Sequence, residues 1–298
     1  MLRSYLLLLF CVCCWGSNFV FGTVLVQQFP PMLLSALRLS STTLFLLAYA
    51  MSSKQLRPLR WKDCYWLVPM GFFGVYINQA AFFTGLQTVD ATMAALITSL
   101  APITVIFLAA AFLKEAMTLR MLLGAAIAIV GVAFVLGRVQ DMQASLGIVL
   151  VLLAMLTYAV FMVMMRKVTD WIDAVSATLY STAFGALMMV PTALAAEPLH
   201  QVSPHLWAWA LLFATAFVMQ GLCGVIWNAQ LKKVGAGKAA VFINLQPFVA
   251  MVVGYAVLGT PVTWVQVFGA ILIVGGVVMA TSYKRRNADA PAPVRSER

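Results

Sequence analysis

The feature that most constrains the fold of this chain is an internal duplication. Residues 81–136 align with residues 226–281 without a gap, at a constant offset of 145 positions. Identical pairs include Leu86/Leu231, Val89/Val234, Ala91/Ala236, Ala94/Ala239, Ala95/Ala240, Leu100/Leu245, Pro102/Pro247, Leu113/Leu258, Thr118/Thr263, Gly124/Gly269, Ala125/Ala270, Gly131/Gly276 and Val132/Val277. A repeat of this length limits the folds to those with two similar halves. In a strongly apolar chain it favours a transporter built around a central site.

The composition places both halves in a lipid bilayer. Of the 298 residues, 63% are hydrophobic and only 9% are charged, whereas a soluble domain has about 25% charged residues. Because one membrane span needs about 20 apolar residues, ten spans with short connections occupy nearly the whole length. The net charge of +10 does not indicate nucleic acid as a partner, because the basic residues lie in short loops and at the C-terminus.

Apolar runs predict an all-α integral membrane protein with ten transmembrane helices. The predicted spans are Ser4–Gln27, Met32–Met51, Tyr65–Leu86, Thr92–Leu113, Thr118–Gly137, Ser145–Arg166, Ala174–Ala195, Leu206–Gln230, Gly237–Leu258 and Val262–Ser282. The first span has no small-residue cleavage site, so we interpret it as a retained helix rather than a signal peptide. We expect five-helix repeats over residues 1–140 and 141–283. The charged tail, 284–298, cannot bury apolar area and is predicted to be disordered.

The positions of Lys and Arg predict the orientation. If the ends of the spans alternate between the two membrane faces, every basic residue outside a span except Arg138 falls on one face. Cytoplasmic loops have an excess of Lys and Arg, so both termini are predicted to be cytoplasmic, in a cell inner membrane. Five spans per repeat force the second copy to be inverted. In agreement, the cytoplasmic turn 113–116 contains Lys114 and Glu115, whereas its equivalent, 258–261, has no charge.

Two prolines at equivalent positions mark a candidate site. Pro102 and Pro247 lie near the middle of the fourth and ninth predicted spans, close to Thr98 and Asn244. Proline removes a backbone donor and bends a helix, and no water replaces the lost bond at that depth. We therefore predict two bent helices beside a midplane substrate site. A packed kink without a ligand role is the alternative.

Amide and aromatic side chains recur on single faces of other predicted helices. In the first and third spans they are spaced at i, i+3 and i+7, which places them on one side of a helix. The candidates for a cavity wall are Trp15, Asn18, Tyr76, Gln79, Phe83, Tyr158 and Trp227. The alternative is that the amides join helices by hydrogen bonds and that the aromatic rings anchor the membrane interface.

Charged residues inside the spans are few. Arg38 is the one cation away from the ends of a predicted span, and a charge there indicates function. However, it lies only two turns from Pro31 and could extend to the outer surface, so a structural anchor and a contact to a substrate carboxylate stay open. Lys238 is a second possible charge contact, at the inner mouth of the ninth span.

Neither catalytic nor metal chemistry is indicated. All Asp and Glu residues fall in loops, at helix ends or in the tail, and both His residues fall in one outer loop. A membrane hydrolase would need a nucleophile with its base, or metal ligands. The run Cys11, Cys13 and Cys14 lies in an apolar segment without a nearby His, which favours inert buried thiols over a metal site. We predict no catalytic residue, no metal and no cofactor.

Taken together, the chain resembles the EamA-type ten-helix members of the drug/metabolite transporter superfamily. The residues that give this resemblance are 15–19 (WGSNF), Pro30, Pro31, Leu37, Arg38, Ala94, Ala95, Ala101, Pro102, 113–118 (LKEAMT), Gly124, Gly131, Ala239, Ala240, Gln246, Pro247, Thr263 and Gly269. The resemblance implies two inverted five-helix repeats around a cavity lined mainly by helices one, three, four, six, eight and nine. It also implies export of amino acids and other small metabolites. The chain departs from the family pattern at Gln246 and Thr260, where Glu is frequent.

We therefore predict an inner-membrane transporter that exports small amphipathic metabolites, amino acids or related compounds, by alternating access around a midplane cavity. Its expected partners are a small-molecule substrate and the lipid bilayer, and it is expected to be a monomer or a homodimer. Without a carboxylate or His inside a span, transport is not expected to depend on a titrating group there. Alternatives are a multidrug efflux or metabolite uptake carrier of the same fold and, from another class, a membrane-embedded enzyme or accessory protein.

Overall fold

The computed structural model describes residues 2–113, 117–136, 142–197, 202–234 and 242–281. Within these ranges the regular structure is helical throughout. Apolar segments in lipid must satisfy their backbone N–H and C=O groups internally, and a helix does so. The predicted tail 284–298, Lys238, Arg138 and the predicted boundary between residues 140 and 141 lie outside the described residues.

The helices follow one another with short connections. Their bounds are α1 Leu2–Val26, α2 Pro31–Ser52, α3 Trp61–Gly85, α4 Ala91–Thr98 with Ala101–Leu113, α5 Leu119–Leu136, α6 Met142–Val168, α7 Ala174–Ala196, α8 Leu206–Ala214 with Thr215–Leu222 and Cys223–Val234, α9 Gln246–Leu258 and α10 Trp264–Thr281. In the described residues, seven helices are long and apolar enough to cross a membrane, and three shorter apolar helices lie in α5, α9 and α10.

The predicted spans agree with these helices to within a few residues, with two differences. The fourth span is not continuous, because helical structure is interrupted at Ser99 and Leu100. The ninth span, predicted to begin at Gly237, is also interrupted: residues 242–243 are helical, Asn244 and Leu245 form a turn, and helix α9 begins at Gln246. Residues 235–241 lie outside the described part of the chain.

The acidic residues of the loops cap helices. Asp90 accepts a hydrogen bond from Met93 N at the start of α4, and Asp173 accepts one from Ser176 N at the start of α7, both at 2.9 Å. Glu197, after α7, accepts from the first free N–H groups of α2, Met32 N and Leu33 N, at 3.0 and 2.7 Å. A carboxylate at a helix N-terminus satisfies donors that have no partner within the helix.

Helix bounds recur at the same offset of 145 residues. Two π-helical stretches, Met70–Ile77 in α3 and Thr215–Leu222 in α8, are separated by this offset. The same holds for the second half of α4 and α9, and for α5 and α10. The duplication therefore reaches the backbone, including the π-helical stretches that no sequence pattern indicated.

Helices α5 and α10 cross at glycines. A Cβ atom on Gly276 would lie 2.6 Å from Ala128 N, and one on Gly131 would lie 3.0 Å from Ile273 N. These two contacts exchange places under the 145-residue offset. Only glycine permits the helix backbones to approach this closely.

The buried clusters differ between the two ends of the molecule. At the end where α1 finishes and α2 begins, one large cluster joins α1, α2, α3, α4, α6, α8 and α9. At the end where α1 begins, the clusters are separate: one between α1 and α8, one between α3, α6 and α7, and one between α2 and α7. Among the described residues, the largest buried cluster therefore lies at the end where α1 finishes and α2 begins.

Candidate functional site

Helices α4 and α9 are both interrupted just before the predicted prolines. Pro102 has no N–H to donate to the carbonyl of Thr98, four residues earlier. Helical structure stops at Ser99, and the Thr98 hydroxyl donates to Ala94 O and Ala95 O at 2.9 and 3.1 Å. The local hydroxyl groups therefore bond to the preceding turn of the same helix.

The second interruption occurs at the equivalent place. Asn244 and Leu245 form a turn before α9, which begins one residue before Pro247. Asn244 is only 4% exposed, and Pro247 is buried. The structure therefore has a break at the two positions where the sequence predicted bent helices.

Helix α1 passes close to the break before α9. A Cβ atom on Gly16 would lie 2.9 Å from Gln246 O, so glycine is required at this crossing. Trp15, next to it, donates from Nε1 to Met219 O at 2.6 Å, and its ring centroid lies 5.0 Å from that of Trp227. Two predicted aromatic residues, from α1 and α8, are thus brought into contact.

Arg38 is fully buried and does not extend to the surface. Its Nη1 donates to Thr215 Oγ1 at 2.6 Å and its Nη2 donates to Asn18 Oδ1 at 2.9 Å. The guanidinium carbon lies 5.1 Å from the centre of the Phe83 ring. The structure therefore excludes the extended surface position of Arg38. It brings Asn18 of α1 and Phe83 of α3 into contact with the Arg38 cation of α2.

A chain of amide groups lies at the end of the π-helical stretch in α3. Asn78 Nδ2 donates to Ala154 O in α6 at 2.6 Å, and Gln79 Nε2 donates to Asn78 Oδ1 at 3.2 Å. The buried Gln79 Oε1 has no hydrogen-bond partner. Sequence reasoning found Gln79 and missed Asn78, although an Asn next to a Gln in an apolar run is itself a signal.

The sequence predicted that Tyr76, Gln79 and Phe83 lie on one face of α3. In the structure they do not form one surface. Tyr76 stacks on Phe72 at 5.7 Å between ring centroids and packs against buried residues of α2 and α7, whereas Phe83 is 1% exposed in the large cluster. Tyr76 lies within the π-helical stretch, where the helix turns through more residues than in an α-helix. The i, i+3 and i+7 rule therefore does not apply across it.

Tyr158 is 45% exposed, so it does not belong to the buried polar groups described above. Two surface clefts, of about 330 and 390 Å³, also have no predicted site residue in their walls. In the described ranges, His, Cys, Asp and Glu do not form a group of three or more that could hold a metal ion.

This arrangement, of broken helices and buried polar groups in an apolar bundle, agrees with the family that matches the sequence. The profile of the EamA-like transporter family matches residues 2–137 and, a second time, residues 145–282. The chain belongs to the EamA-like transporter family. The resemblance predicted from the sequence is confirmed, and the chain is a multi-pass membrane protein of a transporter family.

Relatives in bacteria and archaea align over nearly the whole chain. The uncharacterized transporter YyaM of Bacillus subtilis (strain 168) is 28% identical over 295 residues, which cover 95% of each chain. The uncharacterized transporter YetK of the same organism is 27% identical over 92% of this chain and 85% of its own. An uncharacterized transporter of Archaeoglobus fulgidus is 24% identical over 93% of this chain and 98% of its own.

A solved crystal structure has a similar fold. It aligns with a TM-score of 0.68 over 95% of this chain and 99% of that chain, at 18% identity. At this level of identity the similarity concerns the fold alone.

Proposed function

We propose that this EamA-like transporter exports small amphipathic metabolites, amino acids or related compounds, across the inner membrane by alternating access. The observation that carries the proposal is the pair of breaks at Ser99 and Asn244, the second of which lies against α1 next to Trp15 and its contacts with α8. Irregular backbone at membrane depth is tolerated where it lines a cavity or is buried in protein, and broken helices frequently hold the substrate in transporters.

We further propose that the three shorter apolar helices also cross the membrane, which makes ten spans in two inverted repeats over residues 1–140 and 141–283. The recurrence of helix bounds at 145 residues supports this architecture, as does the double match of the family profile. Both termini are proposed to be cytoplasmic, with the tail 284–298 outside the membrane.

The packing supports an assignment of the conformational state. If the end with the basic loops is cytoplasmic, the large cluster of α1, α2, α3, α4, α6, α8 and α9 lies toward the outer end. An outer end closed in this way is what the cytoplasm-facing state of an export cycle requires.

We also propose that transport does not depend on a proton gradient. The Asp and Glu residues that the structure describes lie at helix ends or in connections, and they are engaged there with backbone N–H groups or with Arg57 and Lys167. A carboxylate that carries protons across the membrane would have to be buried, with its pKa raised toward neutrality. Transport is expected to follow the substrate gradient or an exchange partner.

A transport assay tests the function. Purified protein in liposomes is supplied with a panel of amino acids and other amphipathic metabolites, and accumulation is measured with and without an imposed proton gradient. The variants Trp15→Ala, Tyr76→Ala, Gln79→Ala and Asn244→Ala should transport more slowly, whereas Trp61→Ala, whose side chain is 91% exposed, serves as the control. If none of the compounds moves, or if all four variants behave like the control, the proposed site is wrong.

Reporter fusions test the topology. Fusions after Ser53, Leu113, Lys167 and Lys233 should report the cytoplasm, and fusions near Gln28, Asp90, Gln140 and Glu197 should report the outside. A pattern that requires an odd number of spans would contradict the inverted repeats.

A further inference from the structure

An apolar cleft lies between α3, α4 and α6, at the end of the molecule where α1 begins. Its wall includes Trp66, Leu108, Phe112, Val160, Met164 and Lys167. The volume of about 390 Å³ falls within the range of small-ligand sites, about 300–1,000 Å³. Lys167 is charged, and the other lining side chains are apolar or aromatic. The cleft therefore suits a ligand with a long apolar part and an anionic group at one end.

The cleft opens on the side of α6 that faces lipid. This side is an exposed stripe of apolar residues, spaced three or four apart along the helix: Leu146, Val149, Leu153 and Leu156. Lipid tails are as apolar as leucine, so such a stripe in a multi-pass membrane protein faces lipid. Val160, Met164 and Lys167 continue the stripe at the same spacing and line the cleft. Acyl chains of the bilayer therefore have direct access to it.

Two lysines mark the mouth of the cleft. Lys167, in the last turn of α6, belongs to its wall, and the exposed Lys62 lies one turn before Trp66, on the same face of α3. Lys167 Nζ lies 3.9 Å from Asp170 Oδ2, but these side chains are 51% and 68% exposed. An exposed ion pair of this kind is weak, so Lys167 remains available to an anionic ligand.

The aromatic part of the wall is held in place by packing. The ring centroid of Trp66 lies 6.2 Å from that of Trp171, with the two rings edge to face. Arg57 Nη1 donates a hydrogen bond to the Trp171 carbonyl, which joins the segment before α3 to the segment after α6. Trp66 and Met164 also pack against the buried cluster shared by α3, α6 and α7. The wall is therefore preformed, and its combination of tryptophan and lysine is typical of a membrane–water interface.

We propose that this cleft binds an anionic phospholipid. One acyl chain lies between α3, α4 and α6, and the phosphate group is held at Lys167 and Lys62. Basic residues beside a pocket between membrane helices recognise anionic lipid headgroups in this way. A phospholipid supplies the apolar chain and the anionic group in one molecule, whereas free phosphate would leave the apolar wall uncovered. The site lies on the outside of the helix bundle and does not depend on what the protein transports.

Native mass spectrometry tests the headgroup contact. Delipidated protein in detergent is titrated with phosphatidylglycerol and with phosphatidylcholine of the same acyl chains. The wild type should bind phosphatidylglycerol at least about fivefold more tightly. Lys167→Gln and Lys62→Gln should each weaken this binding about fivefold, which is the contribution of one basic residue near an anionic surface. Lys54→Gln is the matched control, because Lys54 is an exposed lysine just after α2 that does not line the cleft.

Two further measurements locate the acyl chain. Phosphatidylglycerol with brominated chains quenches the fluorescence of tryptophan rings that it contacts, so the quenched fraction should fall in Trp66→Phe. Val160→Trp fills the cleft and should remove the preference for phosphatidylglycerol in the mass-spectrometric titration. Leu153→Trp is the control, because Leu153 is exposed on the same stripe, two turns earlier, and does not line the cleft.

Several results would overturn the lipid site. They are equal affinity of the wild type for the two lipids, a preference that persists in both lysine variants, and quenching that is unchanged in Trp66→Phe. Equal binding by Val160→Trp and Leu153→Trp would also contradict it. Displacement of the lipid by inorganic phosphate at millimolar concentration would identify an anion site without a bound acyl chain. The transport proposal is unaffected by these outcomes, because it is tested by the movement of metabolites.

Discussion

Two helix pairs, α2 with α8 and α7 with α3, pack in a corresponding way but have different chemistry. Arg38 is the eighth residue of α2 and Ser181 is the eighth residue of α7, and both are fully buried. Arg38 reaches across to Thr215, the first residue of the π-helical stretch of α8. Ser181 bonds only to carbonyls of its own helix, Ala177 O and Thr178 O, at 2.8 and 3.1 Å.

The contact between α7 and α3 is instead made by close backbone approach. A Cβ atom on Gly71, the second residue of the π-helical stretch of α3, would lie 2.8 Å from Ser181 O. The comparison shows that a duplicated fold can repeat its packing while only one copy has a buried charge.

The largest effect is expected for a cation placed in the second region. Ser181→Arg introduces a charge where the facing helix offers Gly71 instead of a hydroxyl acceptor. A charge near the middle of a membrane helix costs about 2.5–3.5 kcal/mol, and the close contact leaves no volume for the side chain. We expect almost no folded protein, as measured by the monodisperse fraction in size-exclusion chromatography. Abundance equal to wild type would show that the two regions tolerate charge equally.

A smaller, steric effect is expected at the glycine contact. In Gly71→Val the new Cβ atom would lie 2.7 Å from Phe184 Cβ, and overpacking of this kind costs about 1–3 kcal/mol. Gly224→Val is the control, because an added Cβ atom there meets nothing within 4 Å. Thermal unfolding in detergent should show a lower melting temperature for the first variant only. Equal melting temperatures would mean that close approach does not define the α3–α7 pair.

At the polar contact we expect a comparable or smaller loss. Thr215→Val keeps the shape of the side chain but removes the oxygen that accepts from Arg38 Nη1. Leaving a buried donor unpaired costs about 1–3 kcal/mol, so the melting temperature should fall. A neutral result would indicate that water already satisfies the guanidinium group.

The smallest effect is expected for Ser181→Ala. The Ser181 hydroxyl donates only to the preceding turn, a bond that adds little to helix stability, and the change should stay within about 0.5 kcal/mol. Chemical denaturation in detergent, run beside Thr215→Val, measures both. A loss as large as that of Thr215→Val would remove the asymmetry between the two regions.

The sequence was sufficient to predict the family, the helical class and the approximate bounds of the helices. Long apolar runs determine where helices form in a membrane, and Pro102 and Pro247 indicated where two of them break. The π-helical stretches could not be predicted, because 70–77 (MGFFGVYI) is compatible with an ordinary helix. In the folded chain, Gly71 contacts α7 and Gly74 lies against Phe161 of α6, and these contacts depend on helices far along the chain.

Arg38 shows the same limit at the candidate site. Its sequence position, two turns from Pro31, was compatible with extension to the surface. The structure instead supplies partners 20 and 177 residues away, Asn18 and Thr215. Contacts between residues so far apart in the sequence leave no local pattern. Arg38 could therefore be identified as a candidate from the sequence, but its hydrogen-bond partners could not be predicted.

The distance along the chain between Arg38 and Thr215 has a consequence for biosynthesis. Chains are synthesised at about 5–20 residues per second, so α2 exists for about 10–35 seconds before the segment with Thr215 is made. During this interval Asn18, in the helix made just before, is the one of the two hydrogen-bonding side chains already available to the guanidinium group. Until the second half of the protein has entered the membrane, the Arg38 guanidinium group therefore depends on its hydrogen bond to Asn18 of α1.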